Sequence, residues 1–518
     1  MKTKNIISGI VLAAGLVALG SCSSRLDIPQ HSVSSIDSYY QTDAEAEEGV
    51  TMCYTSFRTL DQTIFNCWWM IKEYLTDDNY NAGEAHTAGA YQINDYTFSS
   101  DISYINTIYN NLYKLVYNSN VVIEKVTGSS SVMKRAVAEA KVFRAWAYFE
   151  LVTMWGPAPK VDHLLADDEY LTPNSTVEEL WALIESDLKD AIDSGALTEK
   201  SGVSDKTFRI TKQYAQALLG KAYLFQKKYG DAASMLDNVI SSGKYALQAD
   251  FSTIGTPQAT ISEESLFEIH YVNDNSNSGT NNNMNWVSMG LRAERFSYTS
   301  NWFGPTNTWG FLVPTGDVYN AFVKEEGVDG YRLKNSIMTV EDLISYGATP
   351  VMDQNDCEGY WNYKFRVLKS SMIGYFYAPA RRVMRYAEVL LLAAEAQLQN
   401  GNAAKAADYV NQVRTRAKLP AKGSVSMDDI KTEKRMELFG EGVRYQDLVR
   451  WGDAAAKLGT KGQQYPTLMV NGDGTYTVKW TQQNAADKCG WKTGKHEYLP
   501  FPATECAVNP NITQNPGW

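Results

Sequence analysis

The spacing of apolar residues along most of the chain is that of amphipathic helices. Between positions 101 and 126, Ile105, Ile108, Leu112, Leu115 and Val122 recur at intervals of three, four and seven, which places them on one helical face. The same periodicity, bounded by capping residues and by Gly or Pro stops, predicts ten further helices. They cover residues 43–60, 63–75, 131–155, 175–193, 211–229, 231–242, 385–399, 403–418, 427–439 and 443–458.

Two pairs of these helices have the small-residue pattern of a tetratricopeptide (TPR) unit. The first pair covers residues 211–242, where Gly220 allows the two helices to approach and Gly230 is the predicted junction. The second pair covers residues 385–418 and turns at Asn400-Gly401. Because the pairs are far apart in sequence, the pattern does not predict a continuous repeat array.

The region between the pairs lacks this periodicity. It contains short strand-like runs such as residues 266–272, and it is too long for a structureless loop. Further on, LMVNGDGTYTV predicts a β-hairpin that turns at Asn471–Gly474. The fold class is therefore mainly α, with a TPR-like helical-pair scaffold, a large irregular insertion and a few short strands. The predicted boundaries are 43–243 and 381–460 for the scaffold, 244–380 for the insertion, and 461–518 for the hairpin and tail.

The first residues have the pattern of a secretory signal. Lys2 and Lys4 precede an apolar run at positions 6–19, which is too short to span a bilayer. The sequence Leu19-Gly20-Ser21-Cys22 resembles a bacterial lipobox, in which the Cys is acylated, for example with palmitate. We predict a signal peptide over 1–21, lipidation at Cys22 and a tether over 22–40. An ordinary secretory signal that is cut near Ser21 is the alternative.

Composition narrows the classes of ligand. The formal net charge is −11, and removal of Lys2 and Lys4 takes it to −13, which argues against nucleic acid and makes an anionic polysaccharide a less natural ligand. The chain has 32 Tyr, 17 Phe and 13 Trp, many of them in Asn-rich and Gly-rich stretches. Such aromatic surfaces stack on the C–H faces of sugars, although they equally anchor loops to a core.

The sequence carries no signature of catalysis or of a metal site. It has no HExxH, GxSxG or Walker A motif, and no CxxC pair for zinc. Glu437 and Glu441 lie four positions apart and form the kind of carboxylate pair that glycoside hydrolysis uses, but they sit in a charged helix junction. There we predict structural ion pairs, such as Glu441 with Arg444. We therefore expect no enzyme, cofactor or metal. Cys53 and Cys67 are either a disulfide or buried thiols.

Four segments together resemble the SusD/RagB-like nutrient-binding outer-membrane lipoproteins of Bacteroidetes. They occur in the same order and at similar spacing along the whole length. The segments are the signal that ends in Cys22, FRAWAYFELVTMWGPAPKV at 143–161, RYAEVLLLAAEAQLQNG with NQVRTRAKLP at 385–420, and IKTEKRMELFGEGVRYQDLVRWG at 430–452 with the closing LPFPATECAVNPNITQNPGW.

The resemblance implies a cell-surface lipoprotein, anchored in the outer membrane, that captures oligosaccharide or polysaccharide without cleaving it. It also implies a partner, a SusC-like TonB-dependent transporter on which the protein sits as a lid. Two alternatives remain open at this point. One is a RagB-like lid that binds peptides, and the other is a TPR scaffold for protein interactions.

The candidate binding residues lie in two aromatic loop regions, because loops on a rigid scaffold commonly carry function. We expect at least one sugar-stacking platform among Trp286, Trp302 and Trp309. The remaining candidates for stacking or hydrogen bonding are Tyr298, Phe303 and Arg295 in the same region, and Tyr80, Asn81 and Tyr91 in the other.

Overall fold

The computed structural model describes residues 39–62, 67–81, 88–271, 289–300, 308–366, 369–371 and 379–518. Helices dominate, which confirms the mainly α fold class. The helices are α1 (Asp43–Gln62), α2 (Trp68–Tyr74), α3 (Ala88–Asp95), α4 (Ser103–Lys125), α5 (Ser131–Met154), α6 (Val177–Asp193), α7 (Lys212–Phe225), α8 (Tyr229–Ser241), α9 (Gly316–Glu326), α10 (Tyr331–Lys334), α11 (Val340–Ser345), α12 (Tyr386–Gln399), α13 (Ala403–Arg416), α14 (Met427–Glu437), α15 (Arg444–Trp451), α16 (Ala454–Leu458) and α17 (Ala503–Val508).

The remaining regular elements are short antiparallel strands. The sheets have the strand orders β1–β4, β2–β9, β3–β6, β5–β8 and β11–β10–β7. The strands are β1 (Asn79–Tyr80), β2 (Ser265–Ile269), β3 (Phe296–Tyr298), β4 (Val313–Pro314), β5 (Ile337–Thr339), β6 (Ala348–Pro350), β7 (Gln354–Asn355), β8 (Tyr360–Asn362), β9 (Arg381–Arg385), β10 (Gln464–Val470) and β11 (Tyr476–Gln482). The hairpin that the sequence predicts around Asn471–Gly474 is β10–β11.

The helices stack side by side in chain order. Helix α4 packs on α1 and α5, and contacts then run from α5 through α6 and α7 to α8. Helix α8 packs directly on α12, which in turn packs on α13 and α14. The two TPR-like pairs are therefore adjacent in space although a long insertion separates them in sequence. The expectation that they form no continuous array was wrong for the folded molecule, because sequence distance does not limit which helix faces bury each other.

Gly220 has the role that the sequence predicts for it. A Cβ at this position on α7 would lie 2.6 Å from Cγ of Leu236 on α8, so a larger residue would force the helices apart. The junction of the pair, however, lies elsewhere. Helix α7 ends at Phe225, Lys227 has a φ of 61°, and Gly230 is already inside α8. The hydrogen bond from Lys228 N to Tyr223 O closes this turn.

Two further differences concern the C-terminal helices and the thiols. The single helix predicted over 443–458 is two helices, since Gly452 adopts a left-handed φ of 76° and ends α15. Cys53 and Cys67 are both free and buried, which decides between the two alternatives for them. No helix in the described ranges is long and apolar enough to cross a bilayer.

The insertion has apolar clusters of its own. One gathers Phe296, Trp361, Leu343 and Leu468, so the β10–β11 hairpin shares it with β3 and β8. Another joins Phe322 and Ile337 of the insertion to Met436 and Phe439 of the scaffold. The insertion is therefore packed structure, and it is held against the end of the helical stack.

A buried ion network fastens the insertion to the scaffold. Arg385, with 1% of its side chain exposed, donates from Nη1 to Glu264 Oε1 at 2.6 Å and to Glu437 Oε1 at 2.6 Å. Its Nε donates to Glu441 Oε2 at 2.8 Å. Arg332 of α10 reaches Glu433 and Glu437 of α14, at 2.7 and 3.1 Å. Removing charged groups from water costs free energy, so such groups are tolerated in the interior only when each is paired with groups of opposite charge.

The predicted pair between Glu441 and Arg444 does not form. Glu441 instead accepts from Arg385 and from Lys364 Nζ at 2.5 Å, and Arg444 is bound to Asp77. The prediction of structural ion pairs at this junction was right, but the predicted partners were wrong, because the actual partners lie more than 50 positions away in the sequence.

Candidate ligand-binding site

An open cleft of about 760 Å³ lies where the end of the scaffold meets the insertion. One wall comes from the α2–α3 region, a second from the N-terminal turn of α9, and a third from the segment between α16 and β10. The lining residues are Asp77, Tyr80, Asn94, Thr315, Gly316, Asp317, Asn320, Glu358, Ala456, Lys457, Thr460, Lys461, Gly462, Gln463, Gln464, Tyr465 and Trp480. Polar groups therefore dominate the lining, with a few aromatic residues among them.

Trp480 is the exposed indole of this cleft, with 48% of its surface accessible. It lies on β11, opposite Pro466 of β10 in the antiparallel register. Strand β10 also pairs with β7, and the Leu468 side chain is buried in the insertion core. The hairpin is thus fixed on both sides, so Trp480 stands on a strand whose position is determined by packing.

Beneath the cleft, three tyrosine hydroxyls each donate a hydrogen bond to a carboxylate. The Tyr80 and Tyr91 rings also pack against the Tyr465 ring, with centroids 6.1 and 5.9 Å apart. These contacts join β1, α3 and β10 to the loop between β7 and β8, and so they form the floor of the cleft. The pairs are Tyr80–Glu358 at 2.8 Å, Tyr91–Asp356 and Tyr465–Asp95.

The carboxylates of this floor have perturbed acidity. Burial raises the pKa of Asp356 to about 6, and the nearby charge of Asp95 acts in the same direction. Burial also raises the pKa of Asp95, while the hydrogen bond from Tyr465 opposes that rise. Both groups lie behind the lining residues, so they add negative potential to the cleft without contacting its contents.

The cationic groups near the cleft are already bound within the protein. Lys461 Nζ donates to the carbonyl oxygens of Tyr74 and Thr76, and burial lowers its pKa to about 8. Arg444 holds Asp77 through Nε at 2.6 Å, and Arg435 reaches Asp317 at 2.6 Å. Burial alone would raise the pKa of Asp77, but the charge of Arg444 outweighs it and holds that pKa below its ordinary value.

Nothing in the described ranges resembles a metal centre. No group of three or more His, Cys, Asp or Glu side chains there is arranged to hold a metal ion. The chemistry that the cleft offers is therefore hydrogen bonding from amides, hydroxyls and carboxylates beside one exposed aromatic face.

Two family models match the chain, one at each end of the scaffold. A model described as "Starch-binding associating with outer membrane" matches residues 33–224, and the SusD family model matches residues 339–518. The chain belongs to the SusD/RagB-like family. This SusD-like protein is also 25% identical to SusD-like protein P38 of Formosa agariphila over 493 residues, which cover 88% of this chain and 93% of the relative.

Solved structures of similar proteins share the fold. A laminarin-binding SusD-like protein has a TM-score of 0.77 and 25% identity, and the match covers 92% of this chain and all of the other. Surface glycan-binding protein A from Bacteroides thetaiotaomicron, in complex with laminarihexaose, has a TM-score of 0.72 and 20% identity, with 91% of this chain and 99% of the other covered. The TPR-like helical architecture of this SusD-like protein thus agrees with that of its relatives.

Of the candidate binding residues that the structure describes, Tyr80 is the one that lines the cleft. Tyr91 lies below it in the floor. Asn81 is fully buried, with 0% of its surface exposed, so its side chain is not open to a ligand in this structure. Because β1 pairs with β4 through Asn79 and Tyr80, this predicted loop is pinned to the insertion at its N-terminal end.

The second predicted region lies apart from the cleft lining. Tyr298 is 36% exposed at the end of β3, Arg295 donates from Nη1 to the carbonyl oxygen of Asp353, and Trp309 packs, half-buried, against the scaffold core. These three residues are not brought together with Tyr80 in the cleft. Trp286, Trp302, Phe303 and Cys22 lie outside the described residues, and their roles stay predictions.

Sequence reasoning missed Trp480 and the polar segment 457–465. The hairpin around Trp480 was recognised, but it was given no role beyond its turn. The available signal was an aromatic residue at a position of β11 that does not contribute to the core. Strand β11, YTVKWTQ, is otherwise mostly polar, and a Trp in such a strand indicates an aromatic surface that is not needed for the core.

Proposed function

We propose that this SusD-like protein binds glycans at the cleft that Trp480 borders. The observation that carries the proposal is an exposed indole beside Asn, Gln and carboxylate groups, in a member of a family whose solved relatives include a laminarin-binding protein. An indole face matches the C–H face of a pyranose ring, because both are apolar and flat. The amides of Asn320 and Gln464 are exposed at the cleft and are placed to bond the hydroxyls around such a ring.

The cleft does not need catalytic groups for this function. Glu358, which lines it, accepts hydrogen bonds from Tyr80 and from the Gly316 backbone at 2.8 and 2.7 Å, and this role is structural. Glu437 and Glu441, the carboxylate pair considered from sequence, are buried in the ion network and lie away from the cleft lining. The protein therefore binds its glycan ligand without cleaving it.

Affinity electrophoresis of the mature chain against a set of polysaccharides and a set of peptides tests this function. We expect at least one polysaccharide to retard the protein, with no shortened products released from it. Retention by peptides with no retardation by any polysaccharide would contradict the proposal and support a RagB-like peptide lid instead.

We further propose that the protein is anchored by lipid at Cys22 to the outer membrane, where it delivers glycan to a SusC-like TonB-dependent transporter. The lipobox-like Leu19–Cys22 and the outer-membrane association named by the matching family model support this location. Cys22→Ala is expected to move the protein out of the membrane fraction, because acyl chains provide the anchor. If the variant stays in that fraction, lipid anchoring at Cys22 is wrong.

A further inference from the structure

We infer that the cleft selects an uncharged glycan chain and discriminates against uronate-containing or sulfated ones. This inference rests on the proposed function and concerns the same site. Among the lining residues are three carboxylates, Asp77, Asp317 and Glu358, and two ammonium groups, Lys457 and Lys461. None of these lining residues is an arginine, although the bidentate guanidinium is the group best matched to carboxylates and sulfates.

Apart from Lys457, the cations near the cleft already donate to groups of the protein. Lys461 is committed to two backbone carbonyls, and it loses part of its charge because burial lowers its pKa to about 8. The guanidinium of Arg444 is engaged by Asp77, and that of Arg435 by Asp78 and Asp317. Lys457 is exposed on α16, and a single exposed ion pair contributes little, about 0–1 kcal/mol.

The acidic groups, by contrast, lie where they contact the ligand or add negative electrostatic potential to the cleft. Asp317 has 62% of its side chain exposed at the start of α9. Glu358 lines the cleft, and Asp95 and Asp356 lie in the tyrosine-linked floor behind it. Carboxylates accept hydrogen bonds from sugar hydroxyls, which donate, but they repel a ligand's own carboxylate or sulfate. A ligand anion that entered this cleft would lose water without gaining a partner.

A matched pair of ligands tests this inference directly. Laminarin, xylan, galactomannan and starch are first compared with alginate and polygalacturonate by affinity electrophoresis. The neutral polymer that binds is then sulfated at low density, and the affinities of the two forms are measured by calorimetry. We expect the sulfated form to bind at least tenfold more weakly, and we expect the difference to shrink at high salt because the repulsion is screened.

Asn320→Lys provides the complementary gain of binding. Asn320 is exposed on α9 and lines the cleft, so a lysine there supplies a free cation. We expect the affinity for the sulfated ligand to rise about fivefold at low salt, with the affinity for the neutral ligand unchanged within about twofold. Asn238→Lys is the matched control. It makes the same charge change at an exposed position of α8, a helix that contributes nothing to the lining, and should alter neither affinity.

The outcomes separate the inference from the function on which it rests. If alginate or polygalacturonate binds more tightly than every neutral polymer, the inference is overturned while glycan binding stands. Equal affinity for the sulfated and neutral forms overturns it as well. If no polysaccharide of either kind binds, the proposed function itself fails, and the inference fails with it.

Discussion

Arg385→Met is expected to lower the free energy of unfolding by about 3–5 kcal/mol, the largest effect that we predict for a single substitution. Met has a similar length but no charge, so Glu264, Glu437 and Glu441 would each lose a partner at 2.6–2.8 Å while staying buried. The cost arises because the three buried carboxylates would be only partly compensated, by Arg416, Arg332 and Lys364, in a medium of low polarity. Urea denaturation of the wild type and the variant at pH 7.5 measures it.

The loss of stability caused by Arg385→Met should become smaller as the pH falls. Burial alone would raise the pKa of Glu437, but Arg416, Arg385 and Arg332 together lower it to about 2 from an ordinary value of 4.5. An acid whose pKa is lowered on folding contributes stability above the unfolded value, and this stability is lost as the pH falls toward the folded value. The gap between wild type and Arg385→Met should therefore be full above about pH 5 and shrink below it.

Arg135→Met is the matched control. Arg135 makes a half-exposed ion pair with Glu47 on the scaffold surface, with 27% of its side chain accessible, and Glu139 beside it keeps Arg209 at 2.7 Å. Its loss should cost within about 1 kcal/mol. If Arg385→Met costs no more than Arg135→Met, or if its cost is independent of pH, the network does not fasten the insertion to the scaffold as we argue.

Local rules were sufficient for most of the helical scaffold. The apolar stripe of α4 and the capping box at Thr176 and Glu179 are short-range features, and both are present in the structure. Gly230 misled the placement of a turn, because a glycine that allows a turn does not require one. The turn forms three residues earlier, where Lys227 adopts a left-handed conformation. Gly452, in contrast, ends α15 within residues 443–458, for which the apolar pattern predicts one continuous helix.

The cleft could be predicted only in part, because its walls come from distant parts of the chain. Tyr80 and Tyr465 are in ring contact across 385 positions, and no periodicity reports such a contact. The sequence did show that Tyr80 lies in an aromatic loop. It could not show that the hairpin would place Trp480 at the same cleft. It also could not show that Arg435 and Arg444 would form ion pairs with aspartates of the protein.

Trp480→Ala is expected to weaken glycan binding by about 2 kcal/mol, or roughly 30-fold in Kd. The truncation removes the exposed aromatic face of the cleft and leaves the amides without the surface that orients the ring. Because Trp480 is 48% exposed, its loss creates no cavity in the core, and the melting temperature should stay within about 2 °C of the wild-type value. Calorimetry with the polysaccharide that binds, beside a thermal melt, measures both quantities.

Val478→Ala isolates the part played by the indole. Val478 is 39% exposed on the same strand and, two residues from Trp480, on the same face, but it does not line the cleft. We expect it to bind glycan as the wild type does, while Trp480→Phe should retain most of the affinity because it keeps an aromatic face. If Trp480→Ala binds like the wild type, the cleft is not the glycan site. The platform would then have to be sought among Trp286, Trp302 and Trp309, the residues that the sequence alone favours.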